Sequence, residues 1–128
     1  MPEQHVFESA VIRVVPMVER EEFLNVGVIL YCKDEKFLRM KFELEENRLG
    51  ALCRGLNIEE LREHLNSFEQ ICEGGPVGGD IGKLSMPERF RWLTATRSTI
   101  IQCSKVHPGR CEDAGVMLER MFVQMVRC

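Results

Sequence analysis

Residues 19–31 read EREEFLNVGVILY, and this stretch decides the fold. A charged run leads into an apolar, β-branched segment that carries Asn25 and Gly27 near its start. Glycine inside a strand costs packing and entropy, so it usually marks a β-bulge or a close approach of another backbone. The apolar run continues to Cys32 without a polar face, which is typical of a strand buried on both sides. The stretch therefore predicts a central strand, residues 24–32, preceded by a charged hairpin loop.

Three other segments have the composition of strands. Residues 6–15 are rich in Val and Ile, and residues 37–44 alternate apolar with charged side chains, the period of a half-buried strand. Residues 98–103 form the fourth predicted strand. Short connections join the first three, which predicts an antiparallel meander.

Helical spacing of apolar residues predicts helices over 57–73, 86–94 and 112–127, with a short helix near 45–53. Asn57 with Glu60, and Ser85 with Glu88, have the spacing of helix-capping boxes. The His107–Pro108–Gly109 sequence predicts a turn. This order of elements predicts an α+β fold, a mainly antiparallel sheet of about four strands with helices against one face.

The length of 128 residues predicts a single domain, 1–128. Five glycines between 74 and 82 predict a flexible loop. A phosphate-binding P-loop ending at Lys83 is excluded, because Val77 and Leu84 stand where glycine and Ser or Thr are needed. We expect no membrane segment, since the longest apolar run is short, and no signal peptide; a cytoplasmic protein with reduced cysteines follows.

Charge is distributed unevenly along the chain. The net charge is −3, yet residues 81–110 hold six basic residues and one acidic residue. A local cationic segment in an acidic protein indicates an interaction surface more specifically than net charge does.

Five segments of the chain resemble a bacterial family of small proteins, of about this length, that carry a domain of unknown function. They are IRVVP at 12–16, REEFLNVGVIL at 20–30, RFRWL at 89–93, RSTIIQ at 97–102 and VHPG at 106–109. Genes of this family often lie beside genes for HipA-like kinases. The resemblance implies a cytoplasmic protein with a HipA-like kinase as a partner, and it implies no reaction. The positions that carry it are Arg13, Glu22, Asn25, Gly27, Arg89, Trp92, Ser98 and His107.

Arg13, Asn25 and Gly27 are the first candidate site. If the hairpin pairs about Arg20, Arg13 lies opposite Gly27 and on the same face as Asn25. A guanidinium beside a missing side chain would form a polar notch for an anion or a partner's carboxylate. The alternative is structural: Arg13 pairs with Glu22 or a nearby acid, and Asn25 bonds to main chain.

The cationic segment is the second candidate site. Arginines beside a hydroxyl and an exposed aromatic ring are typical of phosphate or nucleic-acid contacts. The alternative places Trp92 in the core, pairs the arginines with acids and leaves His107 in a turn. The candidates are Arg89, Arg91, Trp92, Arg97, Ser98 and His107, with Lys83, Lys105 and Arg110 nearby.

A metal site is not expected. Cys103, His107 and Cys111, with Cys128 as a fourth ligand, fit no common zinc spacing, and Pro108–Gly109 would break a helix that aligned them. We therefore expect no metal and no cofactor.

Three functions follow in order of preference. The first is a non-catalytic protein-interaction module, motivated by acidic and basic surfaces on one small chain. The second is a phosphate- or nucleic-acid-binding protein that uses residues 83–110. The third is a small hydrolase or phosphoryl-transfer enzyme using Arg13, Asn25 and His107, which ranks last because paired catalytic carboxylates are missing from the pattern.

Overall fold

A five-stranded antiparallel sheet forms the centre of the structure, a computed structural model that describes residues 3–95 and 99–127. The strands follow the order β3-β2-β1, and both β4 and β5 pair with the far side of β1. The predicted α+β class is confirmed, with five strands instead of about four. They are β1 His5–Val14, β2 Leu24–Cys32, β3 Phe37–Phe42, β4 Ile101–Cys103 and β5 His107–Cys111.

Helices begin where the sequence supplies caps. The side chains of Asn57, Ser85 and Asp113 accept hydrogen bonds from main-chain N–H groups in the first turns of their helices. These caps satisfy donors that have no partner inside the helix. The helices are α1 Glu46–Leu52, α2 Ile58–Glu73, α3 Gly79–Gly82, α4 Met86–Thr94 and α5 Ala114–Phe122, which continues as a π-helical turn, Val123–Arg127.

Helices cover both faces of the sheet, so the prediction of one covered face is wrong. Side chains of α1, α2 and α4 pack with Ile12 and Ile29 on one side, here called the α2 face. On the other side, the α5 face, Leu118 packs with Val28 and Leu30. The strand β2 was expected to be central because of its long apolar run, and this is confirmed: its side chains contribute to the cores on both faces.

The β1–β2 hairpin differs from the predicted register and contains a β-bulge. Ile12 lies opposite Gly27, whereas Arg13 lies opposite Asn25, so Val26 is the extra residue. Arg13 was expected opposite Gly27, and that register is wrong because the strands do not pair about Arg20: the regular ladder already sets Ile12 opposite Gly27. The bulge then moves Arg13 one further residue, to Asn25. A Cβ at Gly27 would lie 2.6 Å from the Lys41 carbonyl oxygen, so the glycine permits close approach of β3.

The predicted turn at His107–Pro108–Gly109 is instead part of β5. Residues His107 to Cys111 of β5 pair with residues Ser9 to His5 of β1. Pro108 is tolerated because β5 lies at an edge of the sheet, and a Cβ at Gly109 would meet the Phe7 ring at 2.5 Å. The loop 74–82 contains two short helical turns, Pro76–Gly78 and α3; its flexibility stays a prediction. Among the described residues, no helix is long and apolar enough to cross a bilayer.

Candidate functional site

The outer edge of β3 pairs with no other strand in the part of the chain that the structure describes. Glu43 donates its N–H to the Val26 carbonyl at 2.8 Å. This bond shows which residues of β3 direct their main-chain groups toward β2 and which direct them away. Since antiparallel partners alternate, Leu38, Met40 and Phe42 direct their main-chain N–H and C=O groups away from β2. No hydrogen bond within residues 3–95 and 99–127 occupies these outward groups. The edge is therefore a template for a further strand.

A cleft of about 750 Å³ runs along this edge. Its floor is β3, and its walls come from the two helices that pack on opposite faces of the sheet. Met86, at the start of α4, extends the α2 wall. The wall residues are Glu69, Cys72 and Glu73 from α2 and Gly115, Leu118 and Glu119 from α5.

The α2 wall of the cleft carries uncompensated negative charge. Glu69 and Glu73 lie one helical turn apart, and neither forms an ion pair with any residue that the structure describes. Partial burial, and then the neighbouring Glu73 carboxylate, raise the pKa of Glu69 above its usual value. Both causes disfavour the ionised form of Glu69. A cation bound at this wall would stabilise that ionised form, and would itself be stabilised by it.

Basic side chains occupy the opposite side of the same strand. Lys41 pairs with Glu119 of α5 at 2.5 Å, while the Arg39 guanidinium lies over the Phe37 ring at 5.5 Å. Arg39 is exposed, and the cleft thus presents acid on its α2 side and base on its α5 side.

Arg13 and Asn25 meet as cross-strand partners, in agreement with their predicted closeness. The Arg13 guanidinium lies 4.1 Å from the centre of the Phe23 ring. The proposed pairing of Arg13 with Glu22 is not seen, because Glu22 pairs with Arg20 at 2.6 Å. Arg13 Nε and Asn25 Oδ1 are both buried and have no hydrogen-bond partner among the described residues.

The bulge places Gly27 away from this pair. The Asn25 amide donates to the Met125 carbonyl at 3.2 Å, on the side of the π-helical turn, whereas Val26 and Ile29 belong to the α2 face. A second cleft, of about 250 Å³, is lined by Asn25 together with Arg48 and Arg127. The polar notch thus consists of Arg13 and Asn25 without Gly27, and ligand binding there stays a prediction.

Arg89, the most buried of the described basic residues in the cationic segment, has a structural role. It is 7% exposed, and its Nη1 donates to the carbonyls of Ile71 and Cys72 at 2.8 and 2.7 Å. Its Nε donates to the Leu84 carbonyl at 3.1 Å. Arg89 therefore satisfies the C-terminal carbonyls of α2 and is not available to an anion.

Trp92 also packs inward. It is half-buried and meets the Phe68 ring edge-on, with 6.3 Å between ring centres, as the structural alternative expected. Arg91 and His107 are exposed, on α4 and β5 respectively. Arg97 and Ser98 lie outside the described residues.

The described candidates do not converge on one cleft. Arg13 and Asn25 lie on the α5 side of the sheet, whereas Arg89 lies among the helices of the α2 face. His107 pairs with Ser9, four residues before Arg13 along β1, a separation of about 13 Å at the rise of a strand. An active site of Arg13, Asn25 and His107 therefore has no support in the geometry.

The zinc ligands considered from the sequence are also separated. The Cys103 thiol donates to the Leu93 carbonyl at 3.5 Å on the α2 face, whereas Cys111 packs on the α5 face. Cys128 lies outside the described residues.

Sequence reasoning missed the cleft along β3. Its walls are more than 40 residues apart in the chain, between Glu69 and Gly115, and no local motif joins them. One signal was present: residues 37–44 alternate as an exposed edge strand does, and β2 was already expected to be central. Together these two features predict that β3 is an edge strand flanked by helices.

The comparison with known families identifies the chain. The sequence model of a family described as "Protein of unknown function (DUF3037)" matches residues 9–126, so the chain belongs to this family. No curated protein and no solved structure matches the chain. The family description names no activity.

Proposed function

We propose that this member of the DUF3037 family is a non-catalytic protein-interaction module that binds an extended segment of a partner protein along the edge of β3. One observation carries the proposal: the main-chain groups of Leu38 and Met40 that point away from β2 lie along a cleft whose α2 wall carries unpaired carboxylates. Addition of a strand to an exposed sheet edge is a recurrent mode of peptide recognition.

The main chain would supply most of the affinity. An antiparallel segment forms hydrogen-bonded pairs with Leu38, Met40 and Phe42, because these residues have free N–H and C=O groups. Residues directly opposite one another share a face of the sheet. The paired residues of the partner therefore project toward α2, and the residues between them project toward α5.

Charge complementarity selects the partner segment. Basic side chains at positions i and i+2 of a strand lie about 6.8 Å apart, close to the spacing of about 5–6 Å between Glu69 and Glu73 along α2. Acidic or hydroxyl side chains at the intervening positions would meet Arg39 and Lys41. The preferred ligand is an extended segment with Lys or Arg at alternate positions.

Fluorescence anisotropy with capped peptides tests the proposal. A labelled peptide in which Lys and Thr alternate should bind at a 1:1 ratio, and the same peptide with Glu in place of Lys should not. N-methylation of the Lys residues removes the N–H groups that face β3, so it should weaken binding about tenfold or more, by about 1.4 kcal/mol. N-methylation of the Thr residues is the matched control and should leave binding intact.

Protein variants locate the site. Glu69→Gln combined with Glu73→Gln should weaken the Lys peptide about threefold to tenfold, as expected for two partly exposed ion pairs. Glu63→Gln, an exposed change on the same helix and outside the cleft, should have no effect.

Three results would overturn the proposal: absence of peptide binding, equal binding of Lys and Glu peptides, or equal effects of the two N-methylation patterns. Concentration-dependent dimerisation that competes with the peptide would instead assign the edge to a second copy of the chain. Salt-sensitive binding of RNA unaffected by the Glu69 and Glu73 changes would favour the nucleic-acid alternative.

A HipA-like kinase is the specific partner that we propose to test first, on the basis of the family resemblance. Co-expression of this chain with such a kinase, followed by affinity purification, should recover a complex that the Lys peptide displaces. Failure to recover the complex excludes this partner and leaves the peptide test of the cleft unaffected.

A further inference from the structure

Two buried cysteines and a glutamate meet at the end of the sheet. The Sγ atoms of Cys32 and Cys111 and a carboxylate oxygen of Glu35 all lie within 4.8 Å of one another. Cys32 is the last residue of β2 and is 0% exposed, and Cys111 is the last residue of β5 and is 4% exposed. Glu35, in the loop between β2 and β3, is exposed above them.

A histidine stands at the rim of this group. His5 is the register partner of Cys111 and directs its Nε2 toward Glu35 Oε1 at 3.9 Å. Its other ring nitrogen, Nδ1, faces the Asp34 carboxylate at 3.4 Å. A carboxylate on the far nitrogen is the arrangement that orients a metal-binding imidazole.

Glu35 is also held in place from outside the group. Its Oε1 accepts the N–H of Ala114, the first residue of α5, at 3.1 Å. Such an outer hydrogen bond fixes the orientation of a carboxylate ligand. Three side chains, from β2, β5 and the β2–β3 loop, therefore converge, and His5 of β1 borders them through Glu35. Glu35 and His5 each have a polar partner that sets their direction.

We propose that Cys32, Cys111, Glu35 and His5 form a Zn²⁺ site that ties the β2–β3 loop to the end of β5 and the start of α5. Thiolate, imidazole and carboxylate are the ligands of zinc in proteins, and tetrahedral Zn–S bonds of about 2.3 Å place two sulfurs about 3.8 Å apart. The two sulfurs need to approach by about 1 Å at most. His5, whose Nε2 lies 3.9 Å from Glu35 Oε1, would turn toward them to supply the fourth ligand.

Metal binding would proceed with loss of protons. Coordination of one Zn²⁺ by both sulfurs releases two protons to solvent and forms two Zn–S bonds, without any change of oxidation state. The zinc proposal does not rest on peptide binding at β3, although Glu35 also lines the β3 cleft.

Titration of the reduced full chain with Co²⁺ tests the site. One equivalent should produce the ultraviolet charge-transfer absorption of thiolate–cobalt bonds and the strong visible bands of tetrahedral cobalt, and Zn²⁺ should displace it. Cys32→Ser and Cys111→Ser should abolish the charge-transfer absorption. Cys53→Ser, at a half-buried cysteine outside the group, is the control and should retain it.

Variants of Glu35 and His5, which are less buried than the cysteines, test the site even if the cysteine variants do not fold. Glu35→Gln preserves an acceptor for Ala114, and both Glu35→Gln and His5→Gln should weaken Co²⁺ binding about tenfold or more with unchanged circular dichroism. X-ray absorption of the zinc-loaded protein should count two sulfur ligands. Absence of stoichiometric binding, unchanged affinity in both Gln variants, or a zinc shell without sulfur would overturn the proposal.

Discussion

Gly27 carries a constraint that its neighbours in β2 do not. A Cβ there would lie 2.6 Å from the Lys41 carbonyl oxygen and 2.9 Å from Phe42 Cβ, and both are held by the β2–β3 ladder. Gly27→Ala should therefore lower the free energy of unfolding by about 1–3 kcal/mol, measured by urea denaturation. Gly50→Ala in α1 is the control, since its Cβ meets nothing within 4 Å; it should be neutral or stabilising. Equal stability of Gly27→Ala and the natural protein would contradict the close approach.

Arg89 shows how a residue can match a functional pattern and still serve the fold. Arg89→Met removes the donor for two buried carbonyls at the end of α2, which should cost about 2–3 kcal/mol of unfolding free energy. Arg91→Met, two residues away and exposed, should change stability by less than about 0.5 kcal/mol. A stable Arg89→Met protein would return Arg89 to the list of binding candidates.

At the scale of elements, structure set by neighbouring residues was predicted correctly, whereas structure set by pairing between distant segments was not. The helix over 86–94 was predicted to the residue because Ser85 and Glu88 mark its start. The strand β5 was missed because Pro108 and Gly109 have low strand propensity, and only pairing with β1 makes them a strand. Gly27 indicated a bulge or a close approach in β2, but the position of the bulge, at Val26, is defined only by the pairing of β2 with β1.

The capping box of α4 predicts an acid-sensitive element. Hydrogen bonds from the Ser85 side chain and main chain lower the pKa of Glu88 below 4.5, its ordinary value. A depressed carboxyl pKa stabilises the fold above the ordinary value, and that stability is lost as pH falls through the lowered pKa. Ser85→Ala should therefore lower the thermal midpoint at neutral pH and flatten its decline in acid. Ser67→Ala, at an exposed hydroxyl within α2, should leave the pH profile unchanged.

At the scale of the molecule, candidate sites arise where distant segments meet. The cleft along β3 combines residues near 38, 70 and 118, and the cysteine group combines residues 5, 32, 35 and 111. Of these sites, the Arg13–Asn25 pair was accessible from the sequence because both residues lie on adjacent strands of one hairpin, although the predicted register was wrong. The charged residues of the cleft can be read from the sequence. Their proximity depends on the strand order of the sheet, which is determined by the whole chain.

Glu69 links the cleft to pH. Partial burial and the Glu73 carboxylate raise its pKa above 4.5, so ionisation of Glu69 opposes folding as pH rises through the raised value. Glu69→Gln should accordingly raise the free energy of unfolding at neutral pH. A bound Lys side chain reverses this preference, because it stabilises the ionised carboxylate.

Binding of the Lys–Thr peptide should therefore weaken as pH is lowered from neutrality toward the raised pKa of Glu69. Anisotropy titrations at constant ionic strength should show this slope for the natural protein and for Glu63→Gln. Glu69→Gln should bind more weakly at neutral pH and show a flatter profile. An affinity independent of pH, or a slope that survives in Glu69→Gln, would place the peptide somewhere other than the α2 wall of the β3 cleft.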